Sequence, residues 1–379
     1  MSVAVEPWKS QQQLSLSEHI FAPRFWVGMN LGGWLRLLAR NRWDVSWQHW
    51  HVAIAVTAWG VFNSFWSYVQ ALVFNARVDK VQIDQPPIFV LGHWRSGTTL
   101  LHELMVLDQR HGFPSTFACL SPNHFLLTEP LFSRWSVLPS QRPMDNMPAG
   151  WDRPQEDEFA LCNLGMRSPY LTIAFPNHPP QDPEYLTMEG LSDQQLTDWK
   201  AGLMRFLKQL YYRAPKRLVL KSPTHTGRVG TLLEMFPEAR FVHIVRDPYT
   251  VYASTMNLWR KLYPRHGVQV PRFEGLQDYV LDTFAKMYRK FDADVPRIPQ
   301  GHFCEVRYED LVNDPLGEIE KIYTQLELGG FAEARPKLEA FVNSMDGYQT
   351  NRYPKITDAE RQQVAERWGP FMRRCGYDV

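Results

Sequence analysis

Cysteine is scarce in this sequence, and its few cysteines are not arranged as ligands. Four occur in 379 residues, at positions 119, 162, 304 and 375. None has the short spacing of a zinc site or of a small disulfide-linked domain. We therefore expect buried free thiols in a reducing compartment.

An excess of charge of one sign is also absent. The 41 basic and 40 acidic residues leave a net charge of +1, which excludes a general attraction to nucleic acid, so any anion site must be local. The N-terminal residues do not show the basic segment, apolar core and cleavage site of a secretory signal. With 44% hydrophobic and 21% charged residues, the composition is that of an ordered globular protein, and we expect it in the cytoplasm.

One segment contains no charged residues. No Asp, Glu, Lys or Arg lies between Asp44 and Arg77, and residues 53–74 are long enough for a helix that spans a bilayer. Four polar residues interrupt this run and share one helical face: Asn63, Ser64, Ser67 and Gln70. In lipid such groups need partners. Three interpretations are open: a helix packed on the rest of the protein, a helix on a membrane surface, and a membrane-spanning helix.

Aromatic residues and basic flanks suit a membrane surface as well as a protein core. We therefore describe residues 1–82 as an aromatic-rich helical extension and residues 83–379 as the main domain. Within the extension, residues 20–76 are the candidate segment for peripheral membrane contact. Such contact would place the protein at the inner face of a membrane.

The most informative stretch is residues 86–107, PPIFVLGHWRSGTTLLHELMVL. Its first apolar residues predict a buried parallel strand. Glycines at 92 and 97 bound a turn, and the residues from Thr98 onward predict a helix. A strand, a glycine-bounded turn and a helix together direct backbone N–H groups at one point, where an anion binds well.

This spacing is close to the nucleotide-binding P-loop, G-x-x-x-x-G-K-[ST], but the lysine is absent. Thr98 occupies its position, and the positive charge lies instead at Arg95, inside the turn. Because that lysine reaches the β- and γ-phosphates, its absence argues against an ordinary ATP or GTP hydrolase. A cofactor with a single 5′-phosphate and a transferable acidic group suits this turn better.

Three further apolar runs predict strands at residues 217–220, 241–245 and 303–307, and helical patterns alternate with them. This alternation predicts an α/β fold of three layers, with a central parallel sheet between helices. Ligands bind such sheets at the carboxyl ends of the strands. Four polar motifs lie at those ends: RSGTTLL (95–101), KSPTH (221–225), VRDPYTVYAS (245–254) and VRYEDLVNDP (306–315).

These four segments, in this order, resemble the sulfotransferases that use 3′-phosphoadenosine 5′-phosphosulfate (PAPS) and release 3′-phosphoadenosine 5′-phosphate (PAP). The resemblance covers roughly residues 86–379 and implies a P-loop-like fold. It implies that Lys221 lies near the bridging oxygen of the cofactor, that Arg246 and Ser254 hold its 3′-phosphate, and that Tyr308 contacts its adenine. The loop residues that it assigns to the cofactor are Arg95, Ser96, Gly97, Thr98, Thr99 and Leu100.

Sulfuryl transfer requires cations at the leaving oxygen and a base for the acceptor hydroxyl. We assign Arg95 and Lys221 as the cations. No carboxylate or histidine cluster has convincing metal-ligand spacing, so we expect no metal. Arg352 and Lys355 are weaker candidates for further basic contacts.

The base is the least determined residue. Glu103 lies eight residues after Arg95, where several carbohydrate sulfotransferases have a catalytic Glu, and it ranks first. Related enzymes with a histidine base place it two residues after the strand-end lysine, where this sequence has Pro223. His225 therefore ranks second, and His102 and Glu158 follow.

Residues 152–158, DRPQEDE, predict a helix that starts with Asp152 as N-cap and Gln155 at N3. Glu156, Asp157 and Glu158 would then complement the positive end of the helix dipole. We prefer this interpretation to an acid–base role.

The predicted activity is in-line transfer of a sulfuryl group from PAPS to a hydroxyl, or an amine, of a small molecule, lipid or glycan. The Trp- and Phe-rich extension favours an amphiphilic, lipid-like acceptor. Two alternatives remain at this point. A small-molecule kinase with a degenerate P-loop would require Mg²⁺, and a non-catalytic nucleotide-binding scaffold would bind the cofactor without turnover.

Overall fold

A parallel sheet forms the centre of the protein. The computed structural model describes residues 24–132, 150–344 and 356–379. Within these residues, five parallel strands form one sheet in the order β2-β3-β1-β4-β5. The strands are β1 (Ile88–Leu91), β2 (His111–Gly112), β3 (Arg217–Lys221), β4 (Arg240–Val245) and β5 (Phe303–Arg307).

Helices cover both faces of the sheet. The described residues form α1 (Leu31–Arg40), α2 (Trp50–Val78), α3 (Thr98–Met105), α4 (Thr116–Leu120), α5 (Phe125–Phe132), α6 (Asp157–Asn163), α7 (Asp193–Arg213), α8 (Val229–Met235), α9 (Pro248–His266), α10 (Leu276–Asp294), α11 (Tyr308–Asn313), α12 (Pro315–Gln325), α13 (Phe331–Ser344) and α14 (Asp358–Cys375). A short 3-10 helix, Pro223–Arg228, joins β3 to α8.

The strands divide the core into two clusters because successive side chains of a strand point to opposite faces. In β1, Phe89 and Leu91 pack into one cluster, and Ile88 and Val90 into the other. All four residues are fully buried, as expected for a central strand covered on both sides. The predicted three-layer α/β fold is confirmed, and the four cysteines are free and buried.

Most predicted elements lie where the apolar pattern places them. The structure adds β2, a two-residue strand at the sheet edge that pairs with Arg217 and Leu218. Two residues are too short to produce an alternating pattern, so periodicity could not reveal this strand.

The predicted helix start at Asp152 is wrong. The helix, α6, begins at Asp157, and its N-cap residue Glu156 makes no side-chain cap hydrogen bond. The preceding segment bonds to the start of α4 instead, because the carbonyl of Arg153 accepts from Thr116 N at 2.8 Å. A bridge between Ser115 and Pro154 continues this pairing. Tertiary contacts therefore keep these residues out of the helix.

Helix α2 directs three of its polar residues toward the protein, and much of its apolar surface faces outward. The Asn63 side chain donates to the Val27 and Met29 carbonyls at 2.6 and 3.0 Å. Ser64 Oγ accepts from Leu31 N at 2.9 Å, and Gln70 Oε1 accepts from Leu126 N at 2.9 Å. The polar face that interrupts the apolar run is thus the face that packs on the rest of the chain.

One helical segment of the described residues, Trp47–Val78, is long and apolar enough to cross a membrane. Only 28% of its most apolar stretch is buried in the protein. Packing on the rest of the protein, the first of the three interpretations, therefore describes one face of α2 and leaves the other face exposed.

Candidate active site

The turn between β1 and α3 has a backbone conformation that favours glycine at both ends. Gly92 has φ of 147° and Gly97 has φ of 103°, in the region that side chains disfavour. A Cβ on Gly97 would collide with the ring of Tyr308, and a Cβ on Gly92 would come within 2.8 Å of the Ile244 carbonyl oxygen. The first N–H groups of α3 have no intrahelical partners. The turn therefore forms a close-fitting cradle for an anion.

The loop residues assigned to the cofactor all border this cradle. Ser96 closes the turn, since its Oγ donates to the His93 carbonyl at 2.8 Å. Thr98, Thr99 and Leu100 form the first turn of α3. Burial lowers the pKa of His93 to about 3, so this imidazole is neutral and the positive charge comes from other residues.

Residues from three strand ends converge beside the turn. Arg95 Nε donates to Ser254 Oγ at 2.8 Å, and Arg246 Nη1 donates to the Arg95 carbonyl at 3.1 Å. The Arg246 guanidinium carbon lies 4.0 Å from the centre of the Tyr308 ring. We call Arg95, Arg246, Ser254 and Tyr308 the arginine cluster.

The arginine cluster contains net positive charge. The contacts of Arg246 are to a backbone carbonyl and an aromatic ring, and no carboxylate of the described residues forms an ion pair with it. The adjacent Asp247 turns away and caps α9, accepting from Tyr249 N at 2.8 Å. The cluster can therefore bind an anion without displacing an acidic side chain from Arg246.

A second group of contacts joins α6 to the segment after β3. Glu156 Oε1 accepts from Lys221 Nζ at 2.7 Å. Asp157 faces His225 Nε2 at 2.7 Å, and Glu158 accepts from both terminal nitrogens of Arg228 at 2.5 and 2.9 Å. We call these three acid–base pairs the ion-pair cluster: Glu156–Lys221, Asp157–His225 and Glu158–Arg228.

Two of these pairs are sealed from solvent. Asp157, Glu158, His225 and Arg228 side chains are 0% exposed. Burial alone would raise the pKa of Asp157, but the charge and hydrogen bond of His225 and a hydrogen bond from Ser222 outweigh it and lower this pKa. Burial likewise opposes ionisation of Glu158, and the charge and hydrogen bonds of Arg228 lower its pKa. Both carboxylates are therefore ionised and already occupied.

The sequence-ranked base candidates differ in their surroundings. Glu103 is 4% exposed and lies 3.6 Å from Arg153 Nη1. His102 is buried, with Nε2 at 3.1 Å from the Val219 carbonyl. His225 faces Asp157, and its other nitrogen is buried without a partner among the described residues.

The sequence did not reveal the position of Glu156, which is the partly exposed member of the three acids at 13% of its side chain. Its Oε2 accepts from Tyr170 OH at 2.5 Å, and Tyr170 OH accepts from Trp94 Nε1 at 3.1 Å. Glu156 thus connects Lys221 to the residue that precedes Arg95. The sequence signal for this contact was the run of three consecutive acids at residues 156–158, together with the lysine at the end of a predicted strand.

Two predicted contacts cannot be located, since Arg352 and Lys355 lie outside the described residues. Among the residues that the structure describes, no group of three His, Cys, Asp or Glu side chains could hold a metal ion.

Residues 86–333 match the sequence model of the Sulfotransferase family. The chain belongs to this family. It is a PAPS-dependent sulfotransferase, as the motifs predict, and the kinase and scaffold alternatives are set aside.

Two curated relatives are similar over almost the whole chain. The omega-hydroxy-beta-dihydromenaquinone-9 sulfotransferases Stf3 of Mycobacterium bovis and Mycobacterium tuberculosis are each 47% identical over 371 residues, covering 98% of this chain and 95% of theirs.

Two solved structures share the fold. Sulfotransferase STF1 of Mycobacterium tuberculosis has a TM-score of 0.61 at 20% identity, covering 90% of this chain and 91% of its own. Sulfotransferase STF9 of Mycobacterium avium has a TM-score of 0.62 at 17% identity, covering 93% of this chain and 98% of its own.

Proposed function

We propose that this sulfotransferase transfers the sulfuryl group of PAPS to a hydroxyl at the end of a long, apolar acceptor. The observation that supports the cofactor site is the convergence of the arginine cluster on the glycine-bounded turn. PAPS supplies a sulfuryl group attached to a phosphate leaving group. The residues of this chain bind, orient and stabilise it.

In this proposal, the backbone N–H groups at the start of α3, together with Arg95 and Ser96, hold the 5′-phosphosulfate end. Arg246 and Ser254 hold the 3′-phosphate, and Tyr308 contacts the adenine. Lys221 ends β3 beside β1, where Val90 is its register partner. From there its ammonium group stabilises charge on the departing phosphate oxygen.

No metal takes part in the proposed reaction. A sulfuryl group carries less charge than a phosphoryl group, so cationic side chains can replace Mg²⁺. Calorimetry should show tight binding of PAP that is unchanged by Mg²⁺ or EDTA, and much weaker binding of ATP with Mg²⁺. Preference for ATP with Mg²⁺ would reject the cofactor assignment.

The acceptor class is proposed from the relatives. Their printed name specifies an omega-hydroxylated dihydromenaquinone, which combines a reactive hydroxyl with a long apolar chain. A relative that is 47% identical over 98% of this chain supports the same class of acceptor here. The exposed apolar face of α2 fits such an acceptor, because a lipid is presented at a membrane surface.

An acceptor panel tests this assignment. The enzyme should transfer the label from sulfur-labelled PAPS to an omega-hydroxy-menaquinone in detergent. A menaquinone without the terminal hydroxyl is the matched control and should stay unlabelled. Labelling of short alcohols or sugars alone would reject a lipid-like acceptor while leaving the reaction itself intact.

We also propose that residues 20–76 attach the enzyme to an anionic bilayer, with residues 83–379 carrying the reaction. Large apolar side chains project from one side of α2 and the turn before it, with exposed fractions from 43% to 80%. They recur at helical spacing: Trp47, Trp50, Ile54, Val61, Phe65, Tyr68 and Leu72. Soluble monomers rarely expose a continuous apolar face of this kind.

The charges around this outward face are complementary to anionic lipid. Arg77 and Lys80 are exposed at its C-terminal end together with Asp79 and Asp84. Arg205 and Lys208 of α7 bond to the same end of α2, so basic residues outnumber acidic ones there. Each basic side chain near an anionic surface contributes about 1 kcal/mol of attraction. Tryptophans at the other end are typical of a membrane interface.

Vesicle sedimentation tests the membrane contact. The enzyme should sediment with phosphatidylcholine vesicles that contain phosphatidylglycerol, and Phe65→Asp with Leu72→Asp should lower its partitioning by about tenfold or more. The control is Val312→Asp with Val379→Asp, two exposed valines elsewhere, which should sediment like wild type. Undiminished sedimentation of the α2 variant would reject the proposal. Light scattering that shows a dimeric wild type and a monomeric α2 variant would also reject the proposal, because a second copy of the chain would then cover this face.

A further inference from the structure

We infer that Glu156 is the general base that takes the proton of the acceptor hydroxyl. This inference rests on the proposed sulfuryl transfer and adds a catalytic residue that the sequence motifs did not indicate. The supporting observations are the position of the carboxylate beside Lys221, its partial exposure, and the occupation of the competing acids.

Glu156 stands at the junction of three parts of the site. Its carboxylate is 2.7 Å from Lys221 Nζ and 2.5 Å from Tyr170 OH, and Tyr170 OH accepts from Trp94, the residue before Arg95. An in-line acceptor must approach the sulfur on the side opposite the leaving oxygen. The base must reach the acceptor oxygen, which lies across the sulfur from the leaving oxygen, and Glu156 lies next to the cation assigned to that leaving oxygen.

The contacts of Glu156 leave its carboxylate with accepting capacity. Burial, the charge of Glu156 and its hydrogen bond hold the pKa of Tyr170 well above its usual value, so the phenol remains a donor. Lys221 is 1% exposed and donates to the other oxygen. A carboxylate has about four lone-pair sites, so these two hydrogen bonds leave room for a third donor, the acceptor hydroxyl.

The neighbouring acids lack this freedom. Glu158 already accepts from Ser168, Thr224 and Arg228. Asp157 accepts from Ser222 and faces His225. Both are fully buried, whereas 13% of the Glu156 side chain is exposed.

The proton and the electrons balance in one step. Glu156 takes the hydroxyl proton as the acceptor oxygen forms its bond to sulfur. The bond between sulfur and the 5′-phosphate oxygen breaks, and its electron pair leaves with that oxygen beside protonated Lys221. The product is a sulfate ester, and Glu156 returns its proton to solvent.

Glu156→Gln tests the inference because the amide has nearly the same shape but cannot take a proton. We expect kcat with an alcohol acceptor to fall by about 10²- to 10⁴-fold, with loss of the acidic limb of its pH profile. The titratable groups around this position are Lys221, the phenol of Tyr170, the thiol of Cys119 and the adjacent Asp157. Calorimetric binding of PAP should be unchanged or tighter, because removing a negative charge beside Lys221 favours an anion.

Two comparisons separate a base from a structural role. With a nitrophenol acceptor, whose hydroxyl ionises by itself, the defect of Glu156→Gln should shrink by at least tenfold. Glu234→Gln is the matched control at an exposed carboxylate of α8 that pairs with Lys200, and its kcat should remain close to that of wild type. Glu156→Asp should retain the acidic limb and part of the rate.

The inference is overturned if Glu156→Gln turns over like wild type, or if its defect is equal for alcohol and nitrophenol acceptors. It is also overturned if Glu103→Gln, and not Glu156→Gln, loses the acidic limb. Failure of the wild-type enzyme to bind PAP would instead reject the proposed function, so the two failures are distinguishable.

Discussion

The arginine cluster and the ion-pair cluster both lie at the carboxyl ends of the strands, yet their charges are used differently. In the arginine cluster, Arg246 contacts a backbone carbonyl and a ring. In the ion-pair cluster, Lys221 faces a carboxylate at 2.7 Å. The first arrangement suits a doubly anionic ligand, and the second holds a buried lysine in place through a carboxylate.

The comparison predicts that the sealed part of the ion-pair cluster supports stability. Arg228→Met would leave the ionised Glu158 buried without its main partner, at a cost of about 3–5 kcal/mol in the free energy of unfolding. Urea denaturation measures this loss. Adding Glu158→Gln to Arg228→Met should recover part of the lost stability, because the buried charge is then removed. If the double variant is no more stable than Arg228→Met alone, Glu158 and Arg228 do not stabilise the protein as a pair.

Lys221 should affect catalysis more than binding. Lys221→Ala removes one electrostatic contact to the leaving oxygen, so kcat should fall by about 10²- to 10³-fold. The Kd for PAP should change far less, because the arginine cluster is intact. Turnover assays and calorimetry on the same preparation measure kcat and the Kd for PAP. A variant with the kcat of wild type would remove Lys221 from the mechanism.

Arg246 should affect cofactor binding more than catalysis. Arg246→Ala removes a charged hydrogen-bond donor worth about 1.5–3 kcal/mol, so the Kd for PAP should rise by about tenfold to a hundredfold. Adenosine 5′-phosphate, which lacks the 3′-phosphate, should bind wild type and variant equally. Unchanged affinity for PAP would reject the assignment of Arg246 to the 3′-phosphate.

Acid should weaken the ion-pair cluster first. The folded-state pKa values of Asp157 and Glu158 lie below the ordinary 3.8 and 4.5, so the stability that these carboxylates contribute is present above those values. It is lost as the pH falls through the folded-state pKa values. The contribution of these two carboxylates to the free energy of unfolding should therefore be constant near neutrality and decline below about pH 4.5. Buried histidines such as His93, whose pKa is lowered to about 3, add a separate decline that begins near pH 6.5. The contribution of Glu158 is therefore measured as the difference between wild type and the Arg228→Met, Glu158→Gln double variant, and a difference that does not change between neutral and acid pH would contradict it.

Motif spacing predicted much of the arginine cluster. Arg95, Arg246 and Tyr308 each follow a strand closely, Ser254 lies in the helix that follows β4, and parallel strands bring their carboxyl ends to one edge. Their meeting therefore follows from local sequence and the order of strands. Their roles toward PAPS stay predictions.

The ion-pair cluster could not be predicted in the same way. Glu156 follows a proline-containing segment whose path depends on contacts with α4. The N-cap that we expected at Asp152 used local rules that these contacts override. Pairing between Glu156 and Lys221 depends on how α6 packs against the end of β3.

The orientation of α2 shows the same division. Its length and lack of charge are visible in the sequence, and so is the shared face of Asn63, Ser64 and Gln70. Which side faces outward depends on partners elsewhere, such as the Val27 and Met29 carbonyls and Leu126 N.

The sequence by itself determined four of the five strands of the sheet, the glycine-bounded turn and the residues at the strand ends, because backbone periodicity and glycine conformation act over a few neighbouring positions. Only the tertiary structure decided that Glu156 meets Lys221 and that α2 turns its apolar face outward. Both depend on contacts between residues far apart in the chain, where desolvation and hydrogen bonding outweigh local preference.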